Sequence, residues 1–78
     1  MNPIRRYKLS EQLTHDQLAD RLGCSVETAR KTVTELIVVV SPRMAMEFER
    51  RSGSGIRFMD TMAWVYDRMR NGPVRDAA

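Results

Sequence analysis

Cysteine is nearly missing from this chain: Cys24 is the only one in 78 residues. One thiol leaves no internal disulfide framework and no cysteine-based zinc cage, and it points to a reducing, cytoplasmic setting. Histidine is equally scarce, since His15 stands alone. It has no second histidine or cysteine to complete a metal set, and the serines have no other plausible base. Long apolar runs are also lacking. Nothing approaches the ~20 residues of a membrane span, so no membrane partner is expected. Met1-Asn2-Pro3-Ile4-Arg5-Arg6 has no apolar stretch behind it that could serve as a secretory signal. The one glycine cluster, Ser52-Gly53-Ser54-Gly55, follows a helical pattern and lacks the Lys-Ser/Thr ending of a phosphate-binding loop. Together these absences argue against an enzyme, a bound metal and a cofactor.

What is present reads as a small folded domain. Hydrophobic residues make up 42% and charged residues 29%, with a formal net charge of +3. That balance permits a nucleic-acid partner without requiring one. A core this small supplies only a few kcal/mol of net stability, so self-association is a common supplement. Residues 1–72 are expected to form one domain, with 73–78 as a flexible tail.

The pattern predicts an all-α fold of about five short helices. Asn2-Pro3 opens the first, with Ile4, Tyr7 and Leu9 as its apolar side. Thr14 and Gln17 form a capping box for the second, which buries Leu18, Ala19 and Leu22 and stops at Gly23. After Cys24, Ser25 caps the third. This helix buries Ala29, Val33 and Leu36, and presents Val26, Glu27, Arg30, Lys31 and Thr34 outward. So short a connection predicts a helix-turn-helix. Leu36-Ile37-Val38-Val39-Val40 favours a short strand at Ile37–Val40. Ser41-Pro42 begins the fourth helix, with Met44, Ala45 and Phe48 inside and Arg43, Glu47, Glu49, Arg50 and Arg51 outside. The fifth runs from Arg57 to Arg70. Met59, Met62, Ala63, Tyr66 and Met69 make one apolar stripe, overlapped by Phe58, Met62, Val65 and Met69. Asn71-Gly72-Pro73 ends it.

The stretch from Leu13 to Thr28, with Leu18-Ala19, Leu22-Gly23 and Ser25 at their spacing, resembles the lambda-repressor/Cro (XRE-type) helix-turn-helix family. Ser41-Pro42-Arg43-Met44-Ala45 is similar to the fourth helix of Cro-like regulators and HigA-type antitoxins, and Trp64-Val65-Tyr66-Asp67 is loosely similar to the antitoxins' closing helix. Two features depart from the pattern: Ala29 stands where the family prefers Val or Ile, and the Leu36–Val40 run replaces a polar loop. That run leaves a winged-helix arrangement open, although the second strand of a wing would fall where Ser41 to Arg51 reads as helix.

The resemblance implies a homodimeric transcriptional regulator, a repressor that places its third helix in the major groove of double-stranded DNA. Base contacts would come from Val26, Glu27, Thr28, Arg30, Lys31 and Thr34. Arginine and lysine donate to guanine, a carboxylate accepts from cytosine, and small apolar groups meet thymine methyls. His15, Gln17, Arg21 and Arg43 are the candidate phosphate contacts, with Arg5 and Arg6 behind them. Ile37, Val38, Val39, Val40, Met62 and Trp64 are the candidate dimer interface. The alternatives are an antitoxin whose main partner is a toxin, a winged-helix recombination directionality factor, and a small phage inhibitor of a host protein.

Overall fold

The computed structural model describes residues 2–35 and 40–71, and the side chains through Arg70. Five helices follow one another: α1 (Pro3–Ser10), α2 (His15–Leu22), α3 (Val26–Val33), α4 (Pro42–Arg51) and α5 (Phe58–Asn71). No strand occurs among the described residues. The expected Ile37–Val39 portion of a strand, Leu36 and the tail from 73 onward lie outside them. Val40 is described, and it is buried in the core without regular structure. A wing is not formed where α4 stands.

Each of the first four helices starts at a side-chain cap that supplies an acceptor for orphan backbone donors. Asn2 Oδ1 accepts from the Ile4 and Arg5 amides, with Pro3 in the first turn. Thr14 and Gln17 exchange the two bonds of a capping box, at 3.1 and 2.9 Å. Ser25 accepts from the Thr28 amide, and Ser41 from the Met44 amide. The fifth start is different. Arg57 contributes its carbonyl to the Thr61 amide, and the Phe58 amide donates to Glu49 Oε1 at 2.6 Å. Glu49, expected in water, is therefore half-buried and fastens the end of α4 to the start of α5.

Helix α2 packs chiefly on α3, α4 packs on α5, α1 bridges α3 and α5, and α2 rests on α4. The shared core holds Ile4, Tyr7, Leu18, Ala19, Leu22, Ala29, Val33, Val40, Ala45, Phe48, Ile56, Trp64 and Val65. Small residues suit the close approach of α2 and α3: Ala19 of α2 and Ala29 of α3 are each 2% exposed. Gly55 lets the Tyr7 ring lie against the 52–56 turn, since a Cβ there would stand 2.6 Å from Tyr7 Cε1.

Two apolar expectations are corrected. Leu9 is 64% exposed and takes no part in the core. In α5 the inward face is Thr61, Trp64 and Val65, with Phe58 and Met62 at its margin. Met59, Tyr66 and Met69 point outward at 73%, 72% and 62% exposure, and Ala63 is exposed too. Apolar side chains surround most of this helix, so its periodicity selects no single face. Packing against α1 and α4 decides which face turns in.

Candidate nucleic-acid interface

Helix α3 is eight residues long and is reached from α2 through Gly23, Cys24 and Ser25. Gly23 adopts a left-handed φ of 73°, which closes α2 with its amide donating to the Ala19 carbonyl. The Arg51 guanidinium covers this turn so closely that a Cβ on Gly23 would meet Cζ at 2.8 Å. Cys24 sits half-buried in the same turn, and burial pushes its thiol pKa up.

Two cross-fold contacts anchor the far end of α3, and a local one closes it. The Asn2 side-chain amide donates to the Thr32 carbonyl at 2.9 Å within a buried contact. Glu35, which leaves the helix with φ 65°, pairs with Arg68 of α5 at 3.0 Å. The Thr34 hydroxyl donates to the Arg30 carbonyl at 2.8 Å. With Ala29, Thr32 and Val33 buried, the remaining face of α3 is left outward.

That face gathers most of the expected base-contacting residues. Val26, Glu27 and Thr34 are exposed, while Thr28, Arg30 and Lys31 are half-buried at its edges. Thr28 is engaged locally, because its hydroxyl oxygen accepts from Ser25 Oγ at 2.9 Å. Glu27 Oε2 accepts from Arg30 Nη2 at 2.9 Å and lies 3.3 Å from Lys31 Nζ. The Arg30 bond, followed by the Lys31 bond, holds the Glu27 carboxyl below the usual carboxylate range.

The expected phosphate contacts are dispersed. His15 and Gln17 do stand in the first turn of α2, where the Gln17 side-chain oxygen accepts from the Thr14 amide. Arg43 is exposed beside the α2–α3 turn and lines one small cleft with Gly23 and Cys24. Arg21 turns toward α1, donating to the Tyr7 hydroxyl at 3.2 Å and to Glu11 at 3.3 Å. On α1, Arg6 reaches Asp60 of α5 at 3.5 Å. Arg51 is the cation that sequence reasoning missed. Its i,i+4 pairing with Glu47 is visible in the sequence, but its place over Gly23 depends on how α4 packs on α2.

The expected dimer residues divide. Ile37, Val38 and Val39 lie outside the described residues. Trp64 and Val40, at 4% and 2% exposure, are enclosed by the chain's own core and present no surface to a second copy. Met62 is half-buried at the edge of the exposed Met59, Tyr66 and Met69 stripe. No helix among the described residues is long and apolar enough to cross a membrane. Comparison with family models, curated proteins and solved structures finds no match for this chain.

Proposed function

We propose that this chain is a sequence-specific DNA-binding regulator that inserts α3 into the major groove as a homodimer and represses transcription in the cytoplasm. The observation that carries the reading is the construction of α3. A tight turn delivers a short helix whose back is packed, whose far end is anchored and whose outward face is polar and cationic. Side chains along the outward face of such a helix reach base edges when a helix-turn-helix docks. Arg30 and Lys31 are the donors suited to guanine O6 and N7, and Val26 offers an apolar contact for a thymine methyl. Arg43 and Arg51, which line one cleft beside the turn, are suited to nearby phosphates.

The α5 surface favours a protein contact as well. Three large apolar side chains, Met59, Tyr66 and Met69, are exposed together on one helix face. A second copy meeting that face would form a two-fold dimer and present two α3 helices to adjacent half-sites. A toxin-like partner on the same face is the rival occupant. Sedimentation separates them: the dimer reading expects a dimer mass that Tyr66→Asp reduces to a monomer.

Fluorescence anisotropy tests the DNA reading, with duplex from upstream of the chain's own gene set against a scrambled duplex at two salt concentrations. Tight binding to the native duplex alone supports it. Equal, weak binding that vanishes with salt contradicts it.

A further inference from the structure

The outward face of α3 carries a carboxylate where a DNA-facing surface least tolerates one. Glu27 is not an isolated charge, however. Arg30 and Lys31, one turn along the same face, both bond to its Oε2 atom, at 2.9 and 3.3 Å. These are the two cations best placed on this face to meet DNA. All three side chains are substantially open to solvent, at 42% and 37% for the two cations and 59% for Glu27. Neither cation has another ion-pair partner among the described residues.

Docking therefore confronts the cluster with a choice. Phosphates and base edges compete with Glu27 for the same two donors, so any duplex must either break the clamp or accept a carboxylate beside its phosphates. A duplex that offers an amino group opposite Glu27, such as cytosine N4, gives the released carboxylate a donor. A duplex without one leaves it facing anionic backbone. The clamp thus penalises all DNA and is relieved only on a matching sequence.

We propose that Glu27 is a specificity-determining residue that acts through Arg30 and Lys31, as an internal competitor that suppresses binding to non-matching duplex. The inference rests on the proposed role of α3 in DNA binding. A purely structural role predicts something else: exposed i,i+3 and i,i+4 pairs add only a few tenths of a kcal/mol to a helix, which would leave DNA affinity untouched.

Glu27→Gln removes the charge at nearly constant shape and helix propensity. Asp20→Asn makes the same change in net charge from an exposed position on α2, outside the clamp. The expected result is that Glu27→Gln binds scrambled duplex roughly tenfold more tightly at low salt, with a log Kd against log salt slope steeper by about one. Its preference for the upstream duplex narrows, and Asp20→Asn stays close to the parent. Unchanged affinity and slope for scrambled duplex in Glu27→Gln would overturn the inference and leave the role of α3 standing. An equal gain in Asp20→Asn would also overturn it, because net charge alone would then explain the effect. A parent protein that binds no duplex at all removes both.

Discussion

Replacing Asn2 separates two tasks performed by one side chain. Its oxygen caps α1 by accepting from the Ile4 and Arg5 amides, at 3.0 and 3.2 Å. Its nitrogen donates across the fold to the Thr32 carbonyl at 2.9 Å, with the residue only 6% exposed. Asn2→Ala removes both. The lost cap costs about 1 kcal/mol and the lost buried bond about 1 kcal/mol, for a total of about 2 kcal/mol. The Thr32 carbonyl keeps the Glu35 amide at 3.2 Å, which prevents a larger loss. Asn2→Asp is the more informative variant. Capping preferences alone rate aspartate equal to asparagine and predict no change. In this site, however, a carboxylate oxygen would replace the amide nitrogen and face a carbonyl in a nearly dry position. The loss should then reach about 2 kcal/mol despite an intact cap. Urea unfolding followed by circular dichroism reads the difference, as a midpoint shift of roughly 2 M at an m-value near 1 kcal/mol/M. A variant Asn2→Asp within about 0.5 kcal/mol of the parent would refute the cross-fold bond as a contributor.

Gly55→Ala should destabilise the domain by about 1–3 kcal/mol, because its Cβ has no room beside the Tyr7 ring, and that ring is held by Arg21. An unchanged melting temperature would contradict that packing. Thr61 is fully buried, and its hydroxyl finds no partner among the described residues. Thr61→Val should therefore be neutral or stabilising by about 1 kcal/mol, and a clear loss in thermal melts would reveal a bond to the hydroxyl. Burial raises the Cys24 thiol pKa, so less thiolate is present near pH 8 than for a free cysteine. Its reaction with a disulfide reagent at that pH should be several-fold slower than that of glutathione. A rate equal to glutathione's would show the turn to be open.

The helix boundaries were largely readable from sequence because caps are local. Thr14 with Gln17, Gly23, Ser25 and Ser41-Pro42 each act within a few residues of their position, and each does so in the fold. What escaped the sequence depends on distant parts of the chain. Asn2 was legible as a cap, but its bond to Thr32 joins residues 30 apart. Glu49 reads as a surface charge until the turn at 52–56 brings the Phe58 amide to it.

Helix α5 is ambiguous in sequence for a different reason. Its methionines and Tyr66 fit a helical stripe as well as the buried residues do, and Thr61 breaks the apolar pattern on the true inner face. The same ambiguity makes Trp64 read as an interface residue, whereas it belongs to the core. The outward face of α3 followed directly from periodicity, whereas the Arg21 bond to Tyr7 and the Arg51 cover over Gly23 required the packed helices.

The most direct test of the role given to α3 is a 15N–1H correlation titration of the labelled protein with duplex from upstream of its own gene. The account predicts that perturbed amides cluster in Val26 to Thr34 and in the first turn of α2, with smaller effects near Arg43. Perturbations confined to α5, or none at saturating duplex, would contradict it.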